Sequence, residues 1–176
     1  MKITPQDAIN NDVFHDIDMH APYMIEQAHG NILEIGVREG CSTASFLLGL
    51  EYSGGHLYSV DIEAAPGELF AGHPNWTFIQ ADSQKPETLL PQLAGVHFDI
   101  LFIDGDHSYE AVANDLKNYA PLVKDGGKII LHDVLSAYDP GVRQAVDEFV
   151  AAQGYELEVF KSWVGLGTIH VRHRMA

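Results

Sequence analysis

The chain has 176 residues, is 46% hydrophobic, carries a formal net charge of −15 at pH 7 and contains one cysteine, Cys41. That length suits a single domain, residues 1–176, with a buried core; the charge disfavours a phosphate backbone as partner; a lone cysteine excludes an internal disulfide. No run approaches the roughly 20 apolar residues of a membrane span, and the N-terminus MKITPQDAINNDVFHDID lacks the basic and then apolar regions of a signal peptide, so a cytoplasmic protein is expected, with neither membrane nor nucleic acid as partner.

Residues 1–29 read as an N-terminal helical cap without a strand, in which Phe14, His15, Tyr23 and Met24 are candidates to cover a site. Strand and helix then alternate: strand 31–36, helix 42–52, strand 56–62, a turn-rich stretch with Pro66 and Gly67, strand 76–81, a short helix around 86–94 and strand 98–104. The next helix shows Tyr109, Val112, Ala113, Leu116 and Ala120 at amphipathic spacing. Residues 124–127 (Lys-Asp-Gly-Gly) predict a turn into strand 128–133. A helix bracketed by Asp139-Pro140 and Gly154 follows, as cap chemistry prefers. YELEVF and GLGTIHV close the chain as an antiparallel pair. Such alternation predicts an α/β fold, one doubly wound Rossmann-like domain on a mostly parallel sheet with right-handed crossovers.

Five of these strands end on acids: Glu34, Asp61, Asp82, the pair Asp104 and Asp106, and Asp133. Strand ends on one edge of an open parallel sheet converge, and ligands bind in the crevice outside them. In the loop EIGVREGCST, Gly36 and Gly40 permit tight turns and close backbone approach. The loop is not a G-x-G-x-x-G fingerprint, and Glu34 and Glu39 would repel a pyrophosphate, so a cationic or zwitterionic ligand fits better. Asp61 stands where an acid accepts from ribose hydroxyls, and Asp82 with Ser83 where an exocyclic amine could be met. Together they describe a nucleoside with a positively charged tail: S-adenosylmethionine.

EIGVREGCST, the acid of VDIE, the ADS triplet, FDILFIDGDHSYE and PLVKDGGKIILHDV resemble a small class I S-adenosylmethionine-dependent methyltransferase, with the nearest likeness to the group of macrocin-type sugar O-methyltransferases. The resemblance covers roughly residues 30–135 and implies a seven-stranded sheet with an antiparallel last strand. It implies cofactor contacts from Glu34, Gly36, Gly40 and Asp104 around the methionine end, Ser42 at its carboxylate, Asp61 at the ribose, and Asp82 with Ser83 at the adenine. It further implies a divalent cation, Mg²⁺ or Mn²⁺, on Asp104, His132 and Asp133, and His107 as general base beside Asp104. His132 departs from the usual oxygen donors of that pattern and favours a softer ion than Mg²⁺.

The expected activity is methyl transfer to a hydroxyl of a small acceptor, a sugar or another hydroxylated metabolite, with a homodimer as the assembly to test. Tyr138 and Arg143 are acceptor-side candidates, while Trp163 reads as a packing residue. Two alternatives remain: a module that binds S-adenosylmethionine without catalysis, and a nicotinamide-dependent oxidoreductase, which the bulky Val37-Arg38-Glu39 loop disfavours.

Overall fold

A computed structural model describes residues 4–6 and 17–173, in which strand propensity and helix periodicity resolve into alternating strands and helices; Phe14 and His15 lie outside the described residues. In chain order these are α1 (Ile17–Gln27), β1 (Gly30–Ile35), α2 (Cys41–Ser53), β2 (Gly55–Asp61), β3 (Trp76–Gln80), α3 (Pro86–Leu89), β4 (Phe98–Ile103), α4 (Tyr109–Tyr119), β5 (Val123–Leu131), α5 (Pro140–Gln153), β6 (Leu157–Phe160) and β7 (Leu166–His170). They form one sheet in the order β3-β2-β1-β4-β5-β7-β6. β1 to β5 run parallel, β7 pairs antiparallel with β5, and β6 antiparallel with β7. The doubly wound architecture expected from the sequence is therefore the observed one.

The two-residue period of each strand divides the core into two layers. Ile32, Ile100, Phe102 and Ile130 pack with α1 and α2 through Met24, Ala28, Leu47 and Leu50. Leu33, Ile35, Leu101, Ile103, Ile129 and Leu131 pack with α4 and α5 through Val112, Leu116, Val142 and Val146. The same alternation decides where the strand-end acids point. Glu34 shares the face of Ile32, so it is directed under α2 and is fully buried.

One element differs from expectation. Residues 124–127 lie inside β5 rather than in a turn before it, because the strand accommodates them as an irregularity. Phe98 pairs with Val123 while Ile100 pairs with Lys128, and Gly126 takes φ 80°. Lys124 Nζ meets the Asp99 carboxylate at 2.8 and 2.9 Å, which fastens this widened edge to β4.

Strand order reverses between β1 and β4, since the chain leaves β1 toward β2 and β3 and returns on its other side. That switch point opens a crevice at the C-terminal strand ends, the usual ligand position in such sheets.

Candidate active site

The crevice is an open cleft of about 330 Å³ lined by Gly36, Asp61, Asp82, Ser83, Asp104 and Gly105, among others. A smaller hollow of about 90 Å³ continues from it beneath α1, lined by Met24, Ser42, Phe102, His132 and His20. Val37, Arg38 and Asp104 border both, so the two form one elongated site.

Gly36 is required by its surroundings. It has φ 93°, and a Cβ there would stand 2.1 Å from the backbone oxygen of Asp104. Gly40, at φ 80°, begins α2 and packs toward Leu69 and Phe70. Asp61 holds the loop between them: Oδ2 accepts from the N–H groups of Val37 at 2.9 Å and Arg38 at 3.0 Å, and Oδ1 from Glu63 at 2.9 Å. Arg38 (φ 51°) and Asp133 (φ 62°) are the non-glycine residues of positive φ among those described. Such conformations are costly and cluster at functional sites.

Glu34 and Ser42 bond to each other, with Ser42 also lining the hollow. The Ser42 hydroxyl donates to Glu34 Oε1 at 2.5 Å, while Thr43 at 2.8 Å and Ser59 at 2.5 Å donate to Oε2. Trp76 Nε1 donates to Ser59 Oγ at 2.8 Å and completes the network. Glu34 therefore lies under the glycine loop rather than in the cleft, the consequence of its strand face. Burial pushes its carboxyl up to about 7, against the lowering effect of the hydroxyls of Ser42, Ser59 and Thr43.

That shift has a sign. The folded state holds the Glu34 proton until about pH 7, whereas the unfolded chain releases it near 4.5. Stability should fall by up to about 3 kcal/mol as pH rises between these values, then level off. Urea denaturation of the Glu34→Gln variant should show a correspondingly flatter pH dependence. A slope identical to that of the wild type would refute the buried proton.

At the far end, five polar groups meet. His107 Nε2 lies 3.2 Å from Asp104 Oδ1 and 3.4 Å from Asp133 Oδ2, and its Nδ1 lies 3.8 Å from Asp139 Oδ2. His132 Nδ1 lies 2.7 Å from Asp133 Oδ2 and 3.3 Å from Asp104 Oδ1. Burial alone would raise Asp104, yet hydrogen bonds from His107 and His132 hold its carboxyl down at about 2. His107 is raised by its hydrogen bond to Asp104, against burial, with the charges of Asp104, Asp133 and Asp139 adding to the rise. Burial would lower His132, but its bonds to Asp104 and Asp133 lift it to about 10.

The donor trio that converges within 4.8 Å is Asp104, His107 and Asp133. The expected set of Asp104, His132 and Asp133 shares two of these, and His132 keeps its Nδ1 beside both of their carboxylates. His132 continues the face of Ile130 toward α1, where its Nε2 meets His20 Nδ1 at 3.0 Å. Asp133 turns to the α4 side, where His107 stands. His20 itself bonds to Ser162 in the β6–β7 loop. Sequence reasoning missed His20, a single histidine in a helix with no motif around it. Asp139, before Pro140, carries in sequence only the signal of a helix start.

Of the residues expected to meet an acceptor or to pack, Tyr138 is 91% exposed and Trp163 is 69% exposed, which corrects the reading of Trp163 as packing. Arg143 is paired with Asp147 along α5 at 2.8 Å.

A family model described as "Methyltransferase domain" matches residues 33–134, the stretch from β1 to just past β5 that builds this cleft. The chain belongs to this methyltransferase family. An uncharacterized protein of Acanthamoeba polyphaga mimivirus is 46% identical to the methyltransferase over 54 residues, 30% of this chain and 24% of that protein. The matched stretch thus spans about a quarter of that relative's length. An O-methyltransferase from Bacillus cereus, solved in complex with SAH, superposes with TM-score 0.72 at 18% identity over 91% of this chain and 83% of its own. MycE methyltransferase of the mycinamycin biosynthetic pathway, solved with Mg, SAH and mycinamycin VI, gives TM-score 0.68 at 16% identity over 96% of this chain and 54% of its own. At these identities the two structures attest the methyltransferase fold. Among the described residues, no helix is long and apolar enough to cross a membrane.

Proposed function

We propose that this methyltransferase binds S-adenosylmethionine along the cleft and transfers its methyl group to a hydroxyl of a small acceptor. The observation that carries the reading is the cleft itself. Gly36 admits no side chain, and the carboxylates of Asp61, Asp82, Asp104 and Asp106 line the cleft. When bound, the cofactor supplies a methyl group on an electron-poor sulfonium. Asp61 is assigned to the ribose hydroxyls, Asp82 and Ser83 to the adenine, and Asp104 to the cationic amino-acid end. The crowded carboxylates suit a positively charged ligand and disfavour a pyrophosphate.

His107 is assigned as the general base that takes the acceptor's proton. Its imidazole is held by Asp104 and Asp133, and a near-neutral intrinsic pKa suits that task. A second reading is favoured by the convergence of Asp104, His107 and Asp133. One imidazole with two carboxylates fits a divalent cation, and the nitrogen donor suits Mn²⁺ or another transition ion better than Mg²⁺. A cation held there would supply a lowered pKa for an acceptor hydroxyl. Asp139, facing the other nitrogen of His107, would orient the ring.

Calorimetric titration with S-adenosylhomocysteine tests the cofactor assignment. Asp61→Ala should weaken binding about tenfold or more, since a charge-assisted contact to a ribose contributes on the order of 1.5–3 kcal/mol. A folded variant of unchanged affinity would remove the ribose assignment.

A further inference from the structure

Helix α4 buries an acid on its apolar face. Asp115 sits between Val112, Leu116 and Tyr119 with no solvent exposure. Its Oδ1 accepts from Gln84 Nε2 at 2.9 Å, while its Oδ2 has no hydrogen-bond partner among the described residues. Burial pushes its carboxyl up to about 7, opposed by the side chains of Ser83 and Gln84 and reinforced by the charges of Asp106 and Asp82. A carboxyl so placed costs stability, and an apolar residue would pack there without that cost.

What Asp115 touches accounts for it. Three residues of α4 grip the loop after β3. Asn114 Nδ2 donates to Gln84 Oε1 at 2.9 Å, Asp115 accepts from the other end of the same amide, and the Tyr119 hydroxyl donates to the Ser83 carbonyl at 2.6 Å. The opposite side of that loop, Asp82 to Gln84, forms a wall of the cleft. Asp115 Oδ2 also lies 4.0 Å from where a Cβ on Gly105 would stand, and Gly105 belongs to the same wall. Asp115 is therefore directly behind the part of the cleft assigned to the adenine.

We infer that Asp115 is a positioning residue for recognition of the nucleobase, acting through Gln84 to set Asp82 and Ser83 against the adenine. This rests on the cofactor reading above. Deleting the acid removes the shortest of three acceptors of the Gln84 amide, leaves it the longer ones at Ser83 Oγ (3.2 Å) and the Ala111 carbonyl (3.4 Å), and loosens the wall that carries the acceptor for the exocyclic amine.

The test is calorimetry with two ligands, S-adenosylhomocysteine and its hypoxanthine counterpart S-inosylhomocysteine, which lacks the exocyclic amine. The wild type should prefer the adenine form. Asp115→Ala and Gln84→Ala should each weaken S-adenosylhomocysteine about tenfold and narrow that preference. The double variant should be little weaker than either single one, because both changes break the same contact. Asp115→Asn, which keeps the acceptor for Gln84, should recover most of the loss. Unchanged affinity in Asp115→Ala, or losses that simply add, would overturn the inference. If Asp115→Ala does not fold, Gln84→Ala decides alone, and wild-type affinity and preference in that variant would overturn it. Failure of the wild type to bind S-adenosylhomocysteine would overturn the cofactor reading and this inference with it.

Discussion

Alanine in place of His107 should lower kcat for hydroxyl methylation by about 10²–10⁴, the contribution typical of a positioned general base. The ring is held by carboxylates on two sides, with Nε2 toward Asp104 and Asp133 and Nδ1 toward Asp139. KM for the methyl donor should change far less than kcat, because Asp61, Asp82 and Ser83 lie elsewhere along the cleft and Asp104 keeps its contact with His132. The carboxylates raise His107, so the unprotonated base is populated only above the ordinary histidine range. In a chelated enzyme, kcat should accordingly rise with pH through a value above 6.5. Release of S-adenosylhomocysteine across a panel of hydroxylated small molecules supplies the assay. A His107→Ala enzyme within a few-fold of wild type would end the base assignment.

Asp133→Ala should abolish any stimulation of turnover by Mn²⁺ or Mg²⁺, and Asp104→Ala should do the same. Both carboxylates belong to the convergent trio, and His107 alone is a poor cation site. Asp104 also borders both parts of the cleft, so S-adenosylhomocysteine affinity must be measured in that variant as well. Asp133→Ala is the cleaner test, since Asp133 can be removed without touching the glycine loop. Full activity under thorough chelation, with no loss in Asp133→Ala, would eliminate the metal reading and leave His107 to act without it.

The architecture was legible because its signals are local. Strand runs such as FDILFI and helix faces such as Val142, Ala145 and Val146 announce themselves by period, and each of β1 to β5 is followed or ended by its acid in plain view. Facing was harder to read. That Glu34 belongs under α2 follows from its sharing a side with Ile32, which means knowing which helices cover that side of β1. The pair His132-Asp133 reads as two adjacent ligands, but what each meets beyond the other, His20 for one and His107 for the other, lies far off in sequence. His20 reaches the site from 112 positions away in sequence, a separation that no local pattern spans. Asp115 did leave a trace, an acid three residues after Val112 and one before Leu116 on an otherwise apolar stripe. Its meaning needed Gln84 beside it.

The contact of His132 with Asp133 also has a mechanical side. Over most of its width the sheet is a stiff partition, and the α1–α2 layer cannot feel the α4–α5 layer except by repacking a close-filled core. At the tip of β5 the partition ends. A continuous run of polar contacts passes round it, from Ser162 to His20, His132, Asp133 and on to His107. The way α1 seats on the β6–β7 loop thus becomes part of the electrical surroundings of a carboxylate on the opposite side, with no core side chain having to move.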